Sequence, residues 1–432
     1  MNTDLANRIE SCGIQGGFGV GMPGRGMASH IRSPLPADDA PQSDGNHAKD
    51  MPARESIRRC QRVVDEKFIF YLLRAAVSFA ILIILVSNNI QMQRFFMNYC
   101  FQLLPHANIR YQESLEQLGQ AELSCMLSAL GIDAQVCTER LGGAPFLCFD
   151  APELSAGNLA ALSGHSALTF LCLREGELLR PLERPDGDYL PRDLAEVLKY
   201  KGKTSAVFTR MLINLALCAA GRLGKEQIVT VLDPLCGRGT TCFVALQAGM
   251  NAVGLDLDRR DLKEAADYFS RYLQFHRLKH RLDQNACTVK GQNVPNAVYT
   301  LACSKERYQA GDTRFLRLML GDTALAGPLL KKTPADVLVA DLPYGVQHAP
   351  QAGRRADHVT GMLRRVLPAW REALRPGAGV ALSFNALTLD RQALIGLLAE
   401  AGYEPMDAPP YGSMRHFVEQ AVSRDVVVAR RA

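Results

Sequence analysis

Three acidic residues close three short apolar runs, and any chemistry in this chain is sought there first. Ile228 to Leu232 ends in Asp233, Ala252 to Leu255 ends in Asp256, and Val337 to Ala340 ends in Asp341. Between the first two runs lie Cys236, Gly237, Gly239, Thr240 and Thr241, a loop whose glycines let bare backbone N–H groups approach a ligand. An acid about twenty residues beyond such a loop can accept both hydroxyls of a ribose, as nucleotide-binding βαβ units require. A dinucleotide would need a third glycine for its pyrophosphate, and Cys242 stands in that place. The loop therefore suits a nucleoside ligand without phosphates, such as S-adenosylmethionine.

The elements that must position these residues follow from the apolar periods. The Ile228 run reads as a strand, and the loop leads into a helix that carries Phe243 to Ala248, with Thr240 or Thr241 able to cap it. Gly249 closes that helix and the Ala252 run is the next strand. Val337 to Ala340 is a further buried strand, with Asp341, Leu342, Pro343 and Tyr344 at its C-terminal end, where ligands of open α/β sheets bind.

The stretch ADVLVADLPYG, Ala335 to Gly345, resembles the amino-methyltransferases, whose Asp/Asn-Pro-Pro-Tyr/Phe motif handles an exocyclic amine of a nucleic-acid base. Leu342 stands at the motif's first proline, where the carbonyl oxygen rather than the ring is used. The resemblance covers roughly Lys199 to the C-terminus and implies a Rossmann-like class I methyltransferase sheet that binds S-adenosyl-L-methionine. It implies catalytic roles for Asp341, Leu342, Pro343 and Tyr344. It implies cofactor contacts from Asp233, Cys236, Gly237, Gly239, Thr240, Asp256, Thr204 and Asp322, the last to the adenine amino group. A small domain in front of the catalytic one looks like the THUMP-associated tRNA guanine-N2 methyltransferases, although no THUMP domain is identifiable.

The chain of 432 residues allows two or three domains, and 47% hydrophobic residues suffice for a full core. A net charge of +5 and a pI near 8.6 fit a polyanionic partner. Twelve cysteines without a CxxC pair or a Cys/His zinc spacing read as reduced thiols, with no metal expected. Residues 1–66 are rich in Gly, Pro, Ser and Asp and are expected to be disordered. Residues 67–96 hold an apolar run, Phe68 to Val86, long enough to span a membrane and interrupted only by Arg74. Flanking arginines would keep its N-terminal side in the cytoplasm and export the catalytic part, away from S-adenosylmethionine and RNA. The expectation is a cytoplasmic protein whose functional part begins near Met97, with a single-span anchor as the alternative.

Residues 97–190 are expected to form a small α/β domain: a helix from Ser114 to Leu130 and strands at Ala134 to Cys137, Pro145 to Phe149 and Ala167 to Leu173. Residues 191–432 would be the catalytic domain. Within it a long helix from Arg259 to about Leu282 carries Arg277 and Lys279, which with Lys201, Lys203 and His348 are candidate substrate contacts. Residues 283–312 look polar and irregular, with a hairpin as the alternative, and Phe417 to Arg430 alternates like final antiparallel strands. The expected function is methylation of an exocyclic base amine in RNA, with guanine N2 of tRNA as the target. The alternatives are a DNA adenine-N6 or cytosine-N4 methyltransferase and, in another class, a membrane-anchored interaction protein without activity. Membrane association could come only through residues 68–86, and the oligomeric state is not legible.

Overall fold

The computed structural model describes residues 73–81, 96–105, 109–183, 188–198, 200, 203–343, 352–412, 414–419 and 422–432. The chain divides after Phe79. Residues 73–81 are helical, here α1, with Leu73, Val77, Phe79 and Ile81 exposed. Of the apolar run Phe68 to Val86 only this part lies within the described residues, among which no helix is long and apolar enough to cross a membrane. The expected disorder of residues 1–66 falls outside them.

From Met97 the order is β1 (Met97–Leu103), α2 (Ile109–Ala129), β2 (Cys137–Leu141), β3 (Ala144–Ala151), α3 (Ala156–Leu162), β4 (Leu168–Glu175) and β5 (Leu178–Pro181). These strands make an antiparallel sheet in the order β2-β3-β1-β4-β5. The period-two alternation decides its faces. Tyr99, Phe101, Leu103, Leu147, Phe149 and Leu171 point inward and pack with Leu118, Leu123 and Met126 of α2. The central strand β1, which begins at Met97, was not anticipated: its apolar residues alternate, but over too short a run to stand out in sequence.

The second part contains α4 (Ala206–Ala219), β6 (Thr230–Asp233), α5 (Thr240–Gln247), β7 (Asn251–Asp256), α6 (Arg259–Phe275), β8 (His280–Val289), β9 (Gln292–Leu301), α7 (Lys305–Gln309), β10 (Arg314–Leu320) and α8 (Ala326–Leu330). It continues with β11 (Ala335–Asp341), α9 (Ala352–Glu372), β12 (Leu374–Asn385), α10 (Arg391–Glu400), β13 (Tyr403–Met406), β14 (His416–Glu419) and β15 (Val422–Arg431). The strand order is β13-β15-β12-β11-β6-β7-β10-β9-β8, with β14 paired to β15. β10, β7, β6, β11 and β12 run parallel, while β15 is antiparallel to both β12 and β13. Strand order reverses between β6 and β11, and the last strand inserts backwards beside β12. This is the class I methyltransferase sheet.

One expectation needs correction, and one alternative is realised. The helix from Arg259 does not reach Leu282: α6 stops at Phe275, Arg277 takes a left-handed φ of 52°, and Leu278 N–H bonds back to the Leu273 carbonyl at 2.9 Å. That is a Schellman ending, with Arg277 N–H on the Gln274 carbonyl and Leu278 packed on the core. Residues 283–312, expected to be polar and irregular or to hold a hairpin, take the hairpin: most of them belong to β8 and β9, which add two antiparallel strands to the edge of β10.

No gap in the core separates the two sheets. Phe208, Met211, Leu212 and Leu215 of α4 belong to the same apolar cluster as Leu118 and Phe149. At the seam lies a buried polar knot. Glu122 of α2 is fully buried and accepts from Ser166 N–H at 2.9 Å and from Asn214 Nδ2 of α4 at 2.6 Å, and its other oxygen accepts the Ser166 hydroxyl. Asn214 Nδ2 also donates to the Gly164 carbonyl at 2.9 Å. His165 Nδ1 accepts from Ala167 N–H, which leaves Nε2 to donate to the Gly119 carbonyl at 2.9 Å. On its other side α4 presses on β12, where a side chain at Gly379 would place its Cβ 1.9 Å from the Ala216 carbonyl oxygen.

Candidate active site

Parallel strands point their C-terminal ends the same way, so Asp233, Asp256 and Asp341 come to one edge of the sheet at the point where strand order reverses. Asp233 is buried at the tip of β6, where its Oδ1 accepts Leu235 N–H at 3.0 Å. Burial pushes its carboxyl up to about 7, the neighbouring Asp256 and Asp341 push the same way, and the Thr241 hydroxyl opposes them. Thr241 thus serves Asp233 and does not cap α5. The N-cap is Gly239, at φ 83°, where a Cβ would lie 3.3 Å from the Phe243 ring.

Asp256 fixes the loop from below. Its Oδ2 accepts Gly237 N–H at 2.7 Å and its Oδ1 accepts Asp258 N–H at 2.8 Å. A carboxylate offers about four acceptor positions, so both oxygens retain capacity for a diol. Cys236 contributes backbone only: its side chain is buried with Cys242 against Gly254, where a Cβ would lie 2.8 Å from the Cys236 sulfur. That contact explains why Gly254 interrupts an otherwise apolar strand. Over the loop, the Tyr200 hydroxyl meets Thr240 Oγ1 at 3.0 Å and the Arg238 guanidinium stacks on the Tyr200 ring at 4.7 Å.

Asp341 is held by three side chains from three separate stretches of the chain. Thr204 donates its hydroxyl to Oδ2 at 2.6 Å, Ser383 of β12 donates to Oδ1 at 2.8 Å, and Arg424 of β15 stands 3.6 Å from Oδ2. Leu342 is buried and its N–H is taken by the Ser383 carbonyl at 2.8 Å, while Pro343 is exposed. Arg424 also lies over the Phe208 ring at 4.6 Å, and that ring tilts against buried His416 at 5.3 Å. Thr204, expected beside the cofactor, therefore contacts Asp341. Ser383 and Arg424 escaped the sequence reading. Ser383 is a lone buried polar residue in the apolar run of β12, which is a usable signal, and Arg424 is hidden in the alternation of β15.

The remaining candidates distribute as follows. Asp322 caps the turn after β10 through Oδ1 on Ala324 N–H at 2.9 Å, and its Oδ2 pairs with Arg365 at 2.7 Å, which holds its carboxyl below the usual range. Lys203 donates to the Ala195 carbonyl. Arg277 and Lys279 sit in the turn before β8, level with the start of β10 and so at the opposite end of the sheet from Asp341. They do not line this crevice, because α6 runs from the reactive edge down to the other. Tyr344, His348 and Lys201 lie outside the described residues.

A cavity of about 620 Å³ is also at that far end, bounded by Gly164, Arg210, Asn214, Arg222, Met250 and Arg314. A smaller one of about 170 Å³ borders Arg424, Phe208, His416 and Leu118.

The raised Asp233 carboxyl has a measurable consequence. A group that holds its proton more tightly when folded stabilises the protein below the ordinary carboxylate range, and that contribution is lost as pH rises from about 4 to 7. A rise from 3.8 to about 7 corresponds to an upper bound of roughly 4 kcal/mol. Asp233→Asn is expected to raise the urea midpoint of the ligand-free protein at pH 8 and to change it little at pH 4. An equal effect at both pH values would refute the assignment.

No family model matches the sequence, and no curated protein matches it. Among solved structures, TrmN from Thermus thermophilus aligns at 18% identity over 69% of this chain and 60% of its own, with a TM-score of 0.32. The chain thus spans less than two thirds of that protein. A methyltransferase homolog protein from Pyrococcus horikoshii aligns at 12% identity over 78% of this chain and 87% of its own, with a TM-score of 0.33. An rRNA methylase from Streptococcus thermophilus aligns at 12% identity over 53% of this chain and 98% of its own, with a TM-score of 0.29. The fold assignment stands on the strand order and on the reversed β15.

Proposed function

We propose that the chain is an S-adenosylmethionine-dependent methyltransferase acting on an exocyclic amine of a base in RNA, with guanine N2 of tRNA as the target. The observation that carries this reading is the fixed carboxylate of Asp341 at the tip of β11, one strand away from the glycine loop on β6. The donor set suits S-adenosylmethionine. Backbone N–H groups and the Asp256 carboxylate recognise a nucleoside, while the buried acid at Asp233 and the lack of a third glycine disfavour a pyrophosphate. When bound, that cofactor supplies an electrophilic methyl group on a sulfonium.

An exocyclic amine is a poor nucleophile because its lone pair is delocalised into the ring. In this reading Asp341 and the Leu342 carbonyl accept its two N–H bonds, draw the nitrogen toward tetrahedral geometry and aim the lone pair at the methyl group. Thr204, Ser383 and Arg424 keep the carboxylate from turning away. After transfer the product ammonium gives its proton to Asp341 or to water. Holding two reactants in attack geometry supplies on the order of 7–11 kcal/mol, so the residues that fix Asp341 matter as much as its charge. Tyr344 is assigned by the motif to stack on the base, which must leave its helix to reach the site.

The test is incubation of the full chain with methyl-labelled cofactor and either total tRNA or genomic DNA. Label in tRNA, recovered as N2-methylguanosine after digestion, is the expected result. Label in DNA alone would overturn the RNA target, and label in neither would overturn the transferase reading.

A further inference from the structure

Four cysteines far apart in sequence line up across the outer face of the small sheet. The register sets Cys137 opposite Cys148 across β2 and β3, Cys148 opposite Cys100 across β3 and β1, and Cys100 opposite Cys172 across β1 and β4. Directly opposed residues of an antiparallel pair have Cβ atoms roughly 4.5–5.5 Å apart, at the margin of what a disulfide spans. The central pair is closer than register alone requires: Cys148 Sγ donates to Cys100 Sγ at 3.0 Å. Cys100 in turn donates to Asn98 Oδ1 at 3.2 Å, and Cys137 and Cys172 donate to the carbonyls of Cys148 and Cys100, each at 3.4 Å.

Access and reactivity differ along the row. Cys100, Cys148 and Cys172 are buried with Phe146, whereas Cys137 on β2 is exposed. The hydrogen bond from Cys148 draws the Cys100 thiol below its ordinary range and pushes Cys148 above it, which makes Cys100 the readier thiolate of the pair. None of the four takes part in the methyl-transfer reading, and the sequence gives no CxxC or other spacing by which to group them.

We propose that this row is a thiol–disulfide exchange site, which accepts oxidation from a small-molecule disulfide at Cys137 and passes it inward to a Cys100–Cys148 bridge. The Cys137 thiolate attacks one sulfur of the small disulfide, the sulfur–sulfur bond breaks, and one small thiolate leaves. Cys148 Sγ, directly opposite in the register, then attacks Cys137 Sγ and gives up its proton to the second small thiolate as that leaves. Finally the Cys100 thiolate attacks Cys148 Sγ and releases Cys137 as a thiolate. Two protein thiols are oxidised, one small disulfide is reduced to two thiols, and the two protons go to those thiols. Exchange of this kind needs only an attacking thiolate in line with a reachable sulfur, which the register supplies at each step.

The experiment uses the full chain, reduced and then incubated with oxidised glutathione, with non-reducing proteolysis and mass spectrometry over time. Wild type is expected to yield a peptide linking Cys100 to Cys148 and to release two equivalents of glutathione. Cys137→Ser, at an exposed position, should slow that link by about tenfold or more. Cys148→Ser should stop at a glutathione adduct on Cys137. The proposal is overturned if wild type stops at that adduct or stays unmodified, or if Cys137→Ser forms the bridge as fast as wild type.

Discussion

Asp341→Ala is expected to lower methyl transfer by about a hundredfold to a thousandfold while leaving S-adenosylmethionine affinity within about twofold of wild type. Removal of one preorganised polar group aimed at the reacting centre typically has a rate effect of that size. The affinity should survive because the loop is tied by Asp233 and Asp256, which sit on β6 and β7, and not by Asp341 on β11. Asp341→Asn keeps the shape and one acceptor, so its loss should be smaller. Asp256→Ala should do the reverse, weakening cofactor binding first and leaving turnover at saturation nearer to wild type. Isothermal titration beside single-turnover kinetics separates the cases. If Asp341→Ala loses affinity and rate in equal proportion, the carboxylate supports the fold of the edge and does not touch the amine.

The second large effect concerns stability. Glu122→Ala should lower the free energy of unfolding by about 1–3 kcal/mol, the usual cost of leaving buried donors without their acceptor. Its partners Asn214 and Ser166 come from α4 and from the turn before β4, so the loss strikes the seam between the sheets. Glu122→Gln retains an acceptor and should cost less. Urea unfolding of the three proteins provides the comparison, and a wild-type midpoint for Glu122→Ala would show that apolar packing alone joins the two sheets.

Much of this architecture could be read in the chain because it is locally encoded. The apolar runs ending in Asp233, Asp256 and Asp341 become β6, β7 and β11 because short apolar segments bounded by turn residues have few other ways to bury themselves. What escaped was non-local. Thr204, Ser383 and Arg424 meet Asp341 only because β12 and β15 lie in turn beside β11, and strand order is not written in any one segment. The Schellman ending of α6 escaped for a different reason. Its left-handed position is filled by Arg277 and not by glycine, so no residue announced it. Asp322 was readable as an acid after a strand. Its pairing with Arg365 of α9 depended on a helix packed from elsewhere.

Helix α4 is gripped in three places. Just before its first turn Thr204 reaches Asp341, along one flank Asn214 is bound into the Glu122 knot, and near its end the Ala216 carbonyl rests in the notch left by Gly379. A stiff rod pinned in this way behaves as a lever. A displacement of the small sheet is therefore carried along the rod to the hydroxyl that steadies the Asp341 carboxylate.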